Sequence, residues 1–91
     1  MRYIWDSDKA AGNRKKHGVE FADAVGVLED ELALVGEDVA DYEEERFIAV
    51  GMDYLGRLLT VVLTYRGEDI RLISARKATK KERLDYESGR G

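Results

Sequence analysis

The chain contains no cysteine and no proline, and only one histidine among its 91 residues. Without cysteine there can be no disulfide framework, no thiolate nucleophile and no zinc–thiolate site. A single histidine is too few for a histidine-rich metal site. The sequence therefore predicts either chemistry that needs no metal and no other cofactor, or no chemistry at all.

Long apolar runs are also missing. No stretch approaches the roughly 20 apolar residues that a membrane-spanning helix requires. The N-terminal sequence MRYIWDSDKA lacks the apolar block of a secretory signal peptide. We expect a cytoplasmic protein with no membrane association. A chain of 91 residues can form one modest core, so residues 1–91 are predicted to be a single domain.

The net charge of −4 by itself argues against a nucleic-acid partner, but the charge is unevenly distributed. Residues 1–18 carry a net charge of +3, residues 19–65 carry −10, and residues 66–91 carry +3. If the two basic ends meet in the fold, they form a positive patch on an acidic molecule, and the acidic middle can contact a basic partner. The alternative is that all these charges are simply solvated surface.

The pattern of the sequence predicts an α+β fold. A short strand opens the chain, two helices follow, and an antiparallel meander of three to four strands leads into a C-terminal helix. The spacing T-x-x-E at Thr79 and Glu82 predicts a capping box at the start of that last helix. The predicted elements are a strand at 2–5, helices at 6–18 and 19–31, strands at 32–36, 46–54, 57–65 and from 69 onward, and a helix from 79 to about 88.

Alternation along the strands predicts which side chains face the helices. In the strand at 57–65, the row Leu59, Val61, Leu63 and Tyr65 should pack under the helices. The row Thr60, Val62, Thr64 and Arg66 should lie on an exposed face. In the last strand, Arg71 and Arg76 fall on opposite faces unless the strand bends. We expect all the helices on one face of the sheet and an uncovered face opposite.

Three segments, in order along the chain, resemble those of a known family. They are WDSDKAAGNRKKHGVEFADAV, EERFIAVG and RLISARKATKKERLDYE. Each is similar to a motif of the BrnT-like toxins, which belong to the wider RelE-like group of toxins from bacterial toxin-antitoxin pairs. One departure is Glu20, where many members carry a helix-capping serine; this difference bears on local stability rather than on chemistry.

The resemblance implies a compact α+β toxin of the RelE-like kind that cleaves RNA. It also implies a small antitoxin of the BrnA type, whose ribbon-helix-helix part binds the promoter DNA of its own operon. The toxin would then meet DNA only through that antitoxin. A homodimer and a heterotetramer with the antitoxin are both open as assembly states.

Cleavage of RNA without a metal uses the neighbouring 2′-hydroxyl as the nucleophile. Such an enzyme needs proton-transfer groups and cations that stabilise the charge on the phosphorane oxygens. The guanidinium groups of Arg76 and Arg66 suit the second role, and His17 could transfer protons. Tyr86 could position the substrate. Basic residues that could draw RNA in are Lys16, Lys80 and Arg83.

Each of these assignments has a structural alternative. His17 lies at a helix end, where an imidazolium is favoured by the helix dipole. Arg66 could be a plain solvated residue beside a turn, and Arg76 could pair with a carboxylate. The lysines could form a solvated helix face. The chain as a whole could also be a non-catalytic nucleic-acid-binding or corepressor module, or a protein-binding domain that uses the acidic stretch 37–45.

Overall fold

The structure, a computed structural model, describes residues 1–38 and 45–89. It has the predicted α+β architecture, with three helices and five strands in the described residues. None of these three helices is long and apolar enough to cross a membrane. In chain order the elements are β1 (Tyr3–Ile4), α1 (Ser7–His17), α2 (Phe21–Leu28), β2 (Leu34–Asp38), β3 (Arg46–Met52), β4 (Leu58–Arg66), β5 (Asp69–Lys77) and α3 (Lys80–Ser88).

The strands form one mixed sheet in the order β1-β5-β4-β3-β2. Strands β2 to β5 are the predicted antiparallel meander, and each pairs with its neighbour along the chain. Gly56 and Gly67 have φ angles of 78° and 60°, which allow the two tight turns between β3, β4 and β5. β1 pairs in parallel with β5, with Tyr3 opposite Ile70. The first and last strands of the chain are therefore neighbours.

Local signals in the sequence fix the helix ends. Asp6 caps α1 by accepting from the N–H groups of Asp8 and Lys9, and Gly18 ends this helix with a φ of 70°. The capping box predicted for α3 is present, because Thr79 and Glu82 each bind the other's backbone N–H. The departure noted at position 20 has a structural counterpart, since Glu20 precedes α2 without a side-chain hydrogen bond that caps the helix.

The strand β2 differs from its prediction at both ends. It begins at Leu34, two residues later than predicted, and it includes Glu37 and Asp38, which the acidic composition had assigned to a loop. These two residues pair with Phe47 and Arg46 of β3. The rest of that predicted loop, residues 39–44, lies outside the described residues.

The helices α1 and α2 cover one face of the sheet and form the core with it. The fully or nearly fully buried side chains here include Phe21, Val27, Leu59, Val61, Leu63 and Leu72. Asn13 of α1 is also buried, and its side-chain amide donates to the carbonyls of Val19 and Ala75 and accepts from Ala75 N–H. This polar side chain ties α1 to β5 inside an otherwise apolar layer.

The expectation that every helix packs on one face is wrong, because α3 lies on the other face. Thr60 adjoins the core residue Val61 and points away from it, yet it is fully buried and its hydroxyl bonds to Glu82 of α3. A β-bulge in the pairing of β4 with β5 also changes which side chains of β5 share a face of the sheet. Because Thr60 pairs with Arg76 and Thr64 pairs with Arg71, the bulge brings both arginines to this second face.

Candidate functional site

A basic hollow lies at one end of the sheet, where the β3–β4 turn meets the β5–α3 junction. Its volume is about 350 Å³, and it is lined by Met52, Gly56, Arg57, Leu58, Lys77, Ala78 and Arg83. Three of these residues are cationic and none is acidic. A concave surface that carries only positive charge attracts phosphate groups and focuses their field. We call this surface the basic hollow.

Arg57 shapes the basic hollow through a bond network inside the turn. Its guanidinium donates to the Oδ2 of Asp53 at 2.7 and 2.9 Å, and the Asp53 side chain is fully buried. The other carboxylate oxygen of Asp53 accepts from the backbone N–H groups of Leu55 and Arg57. Arg57 is therefore held firmly, while 30% of its side chain stays exposed. Such fixed cations cost little to order when an anion binds.

The basic end of α1 lies beside the basic hollow. The last turn of this helix carries Arg14, Lys15, Lys16 and His17. The carbonyl of the next residue, Gly18, accepts from the Arg57 guanidinium at 3.4 Å, which connects the helix end to the hollow. Both basic ends of the sequence thus meet here, as one of the two readings of the charge pattern predicted. His17 is half-buried at this junction.

Arg76 does not line the basic hollow; it forms a two-pronged ion pair with Glu82, at 2.8 and 3.1 Å. Glu82 also accepts from the Thr60 hydroxyl and from Thr79 N–H. The hydrogen bond from Arg76, helped by these other donors, lowers the pKa of Glu82 to about 2. The same bond raises the pKa of Arg76. The pairing with a carboxylate, which was the structural alternative for Arg76, is present.

Tyr86 is also engaged within the molecule. Its hydroxyl donates to Asp30 at 2.6 Å, and this bond raises the pKa of Tyr86 to about 12. The phenol is therefore protonated at neutral pH. Asp30 also accepts from the N–H of Met52 at 2.8 Å, so the contact ties α3 to the end of β3 and to the segment that follows α2.

Arg66 lies far from Arg76. Thr60, which pairs with Arg76, and Arg66 are six residues apart on β4, a separation of about 20 Å at the rise of an extended strand. Arg66 pairs in register with Asp69 beside the Gly67 turn. The two arginines therefore lie at opposite ends of the sheet, and the structure does not bring them together at one site.

The remaining predicted RNA contacts divide between two positions on α3. Arg83 lines the basic hollow, and its guanidinium lies 3.9 Å from Glu87. Lys80 is exposed at the first turn of the helix. Sequence reasoning did not select Arg57 or Lys77 as site residues. The spacing of Asp53 and Arg57 around a glycine turn was an available signal for the first, whereas nothing in the sequence distinguished Lys77 from the other lysines.

Comparison with known proteins gives two concordant findings. The family model of the ribonuclease toxin BrnT of type II toxin-antitoxin systems matches residues 5–82. The chain belongs to this family. Among solved structures, the chain is similar to the crystal structure of the Brucella abortus ribonuclease toxin BrnT, with 32% sequence identity and a TM-score of 0.70. The match covers 88% of this chain and 99% of the Brucella chain.

The BrnT match agrees with the resemblance drawn from the three sequence motifs. It spans α1, the meander and the start of α3, so it includes every residue that lines the basic hollow except Arg83. No curated protein matches the sequence. Membership of a type II toxin-antitoxin family implies an antitoxin partner.

Proposed function

We propose that this BrnT-family chain is an endoribonuclease toxin that cleaves RNA at the basic hollow without a metal ion. The observation that carries the proposal is the convergence of Arg57, Lys77 and Arg83 on one concave surface that no carboxylate lines. A phosphodiester held there would meet fixed positive charge, which is what a developing phosphorane requires. Lys16, in the last turn of α1, and Lys80, at the start of α3, would extend the contact along the RNA backbone.

The proposed reaction is attack of the 2′-hydroxyl on the adjacent phosphorus. The bond from phosphorus to the 5′-oxygen breaks, which leaves a 2′,3′-cyclic phosphate and a 5′-hydroxyl. One group must take the 2′-proton and another must protonate the leaving oxygen. His17, beside Arg57 through Gly18, is our candidate for one of these transfers. The proposed antitoxin is a small ribbon-helix-helix protein that also binds promoter DNA.

In this proposal Arg76 and Tyr86 position α3 and are not the groups that contact the phosphate first. Support comes from their internal partners, Glu82 and Asp30, which occupy the polar ends of both side chains. Arg66, at the far end of the sheet, is proposed to contact RNA only outside the cleavage step. This assignment changes the roles expected for Arg76, Tyr86 and Arg66. The roles expected for the other site residues stay the same; these are His17, Lys16, Lys80 and Arg83.

The test is an RNA cleavage assay with EDTA, using toxin separated from its antitoxin. We expect wild type to cleave and to leave cyclic phosphate ends. The double variant Lys77→Ala/Arg83→Ala should lower kcat/KM roughly 10- to 100-fold, because two cations that stabilise the transition state are lost. Folding of each variant is checked by circular dichroism and by urea unfolding.

The matched control is Lys9→Ala/Lys81→Ala, which removes two exposed positive charges outside the basic hollow. This variant should keep cleavage within about threefold of wild type, since surface charges elsewhere act only through the general field. An equal loss in both double variants would reject the basic hollow as the site. Intact RNA after long incubation with folded wild-type protein would reject the nuclease itself.

A second candidate function is RNA binding without cleavage. The internal bonds of Arg76 and Tyr86 favour this alternative, because both side chains are already engaged. The other described cations suit RNA binding more clearly than they suit proton transfer. This alternative predicts that the protein retains RNA and never converts it, at any pH. The same assay distinguishes the two, because bound but uncut RNA is recovered intact after the protein is removed.

A further inference from the structure

A second hollow lies on the opposite side of α3 from the basic hollow. Its volume is about 200 Å³, and its lining residues are Leu34, Val35, Gly36, Glu37, Ile48, Val50, Glu82 and Asp85. The floor is apolar and comes from β2 and β3. Three carboxylates stand at its rim and no cation lines it. We call this surface the acidic groove.

The acidic groove continues into the outer edge of the sheet. β2 is the last strand in the order β1-β5-β4-β3-β2, and within residues 1–38 and 45–89 it pairs only with β3. Val35 on this strand is 58% exposed. An outer strand with an uncovered backbone can accept a further strand, and neighbouring pockets then select the side chains of the added segment.

The charge around this edge defines the kind of segment that fits. Glu37 lines the acidic groove at the sheet edge, but it pairs in register with Phe47, so its side chain projects to the opposite face of β2 from Ile48 and Val50. Asp85 is paired with Lys81 at 3.1 Å but remains partly exposed. The central section 19–65, which supplies β2 and β3, carries a net charge of −10. Only a cationic partner matches this field.

We propose that the acidic groove and the outer edge of β2 bind an extended segment of the antitoxin in which cationic and apolar side chains alternate. The apolar side chains would cover Ile48 and Val50 in the groove, and the cationic ones, on the opposite face of the added strand, would pair with Glu37. The added strand would satisfy the outer backbone groups of β2. The identity of the partner as an antitoxin rests on the proposed function, whereas the location and chemistry of the surface do not.

A second copy of this chain fits the same surface poorly. Two β2 strands paired about a centre near Glu37 would bring Glu37 and Asp38 of one copy close to the same acidic residues of the other. Like charges that face each other across paired strands destabilise the pairing. Each molecule also carries a net charge of −4, which opposes self-association.

The experiment titrates the antitoxin of this toxin into the purified toxin, by calorimetry at two salt concentrations. Glu37→Lys should weaken binding by about 30-fold or more at low salt, because a new cation faces the cationic segment. The loss should shrink at high salt. Glu68→Lys is the matched control, since it makes the same charge change in the exposed β4–β5 turn. The affinity of this variant for the antitoxin should stay within about threefold of the wild-type affinity.

Hydrogen–deuterium exchange of the complex supplies a second readout. The amides of residues 34–38 should become protected when the partner binds, because they gain strand partners. Unchanged affinity in Glu37→Lys, an equal loss in Glu68→Lys, or protection caused by toxin dimerisation would each overturn the proposal. RNA cleavage by the free Glu37→Lys toxin is assayed separately. A wild type that binds as described but leaves RNA intact would reject the nuclease and retain this surface.

Discussion

Glu82 joins three parts of the molecule through one carboxylate. It caps α3 through Thr79, it accepts from Thr60 of β4, and it pairs with Arg76 of β5. All of these donors favour the ionised form, which is why the pKa of Glu82 falls to about 2 from an ordinary value of 4.5. Folding therefore holds this group charged at pH values where the unfolded chain protonates it.

This lowered pKa gives a pH-dependent part of the stability. The contribution is fully present above about pH 5 and is lost as the pH falls through about 2, because the unfolded state then binds a proton that the native state binds less readily. Between pH 6 and pH 3, wild type should lose about 1 kcal/mol more free energy of unfolding than Glu82→Gln, a modest figure because solvent screens the pair.

Urea unfolding at the two pH values measures this difference. Glutamine at position 82 can still cap the helix, so the variant isolates the charge from the cap. Glu87→Gln, on the same helix, should behave like wild type, because its ion-pair partner Arg83 lies 3.9 Å away. If the free energy of unfolding depends on pH identically in wild type and Glu82→Gln, then Glu82 makes no pH-dependent contribution to stability.

At the residue scale, the sequence predicted contacts that are local and missed those that are not. The bond between Thr79 and Glu82 follows from a spacing of three residues and was predicted. The bonds from Glu82 to Thr60 and from Asn13 to Ala75 link positions 22 and 62 residues apart, and no local pattern encodes them. Asn13 would weaken α1 on helix propensity alone, yet its buried amide ties this helix to β5.

At the scale of elements, α2 is packed unusually close to the β3–β4 turn. A Cβ atom on Gly26 would lie 2.6 Å from the backbone nitrogen of Tyr54 and 2.8 Å from the carbonyl carbon of Asp53. These are backbone atoms, so they cannot rotate away. Glycine is therefore required in this helix for contact with the turn that carries Asp53 and Arg57.

We expect Gly26→Ala to lower the free energy of unfolding by about 2–4 kcal/mol, because the helix must move away from the turn. Gly12→Ala is the matched control, since a Cβ on this exposed position of α1 would meet nothing within 4 Å. It should raise the free energy of unfolding by about 0.5–1 kcal/mol through helix propensity. Urea denaturation of both variants tests the pair, and a stabilising Gly26→Ala would contradict the close approach.

The elements themselves were largely predictable. Caps, turns and periodicity are local signals, and they gave all three helices and both tight hairpins close to their observed bounds. β2 was placed two residues early because its second half is acidic and resembles a loop, while pairing with β3 determines its true extent. The side of the sheet on which α3 packs depends on contacts with Thr60 and Arg76, which the amphipathic pattern of the helix does not reveal.

At the scale of the whole molecule, α3 separates two surfaces of opposite charge. The basic hollow lies on one side and the acidic groove on the other. The sequence indicated the charge segregation along the chain but not where the segments meet. The prediction that Arg66 and Arg76 act together assumed that both side chains lie at one site on an uncovered face of the sheet. The meeting point lies instead at the end of the sheet, because the Arg57 bond to Gly18 brings α1 there.

This segregation predicts a salt dependence of RNA binding that is confined to one side of the molecule. A single-stranded RNA whose 2′-hydroxyls are methylated binds without being cleaved, so its affinity can be measured over a range of potassium chloride concentrations. Each phosphate contact contributes roughly 0.7 to the slope of log affinity against log salt. Lys77→Ala should reduce the slope by about this amount.

The control for this measurement is Lys9→Ala, whose side chain lies outside the basic hollow. Its slope should equal that of wild type, and its affinity should change only slightly. If Lys9→Ala and Lys77→Ala shift the slope equally, RNA does not distinguish the basic hollow from the rest of the surface.

The parallel pairing of β1 with β5 also determines when during synthesis the molecule can be completed. Tyr3 and Ile4 are translated before the helices and the meander, but their partners Ile70 and Arg71 emerge from the ribosome only after α1, α2 and β2 to β4. The meander can assemble progressively as neighbouring strands appear, whereas the N-terminal strand must wait. A nascent chain therefore closes its sheet, and brings the two basic segments together, only after β5 has emerged.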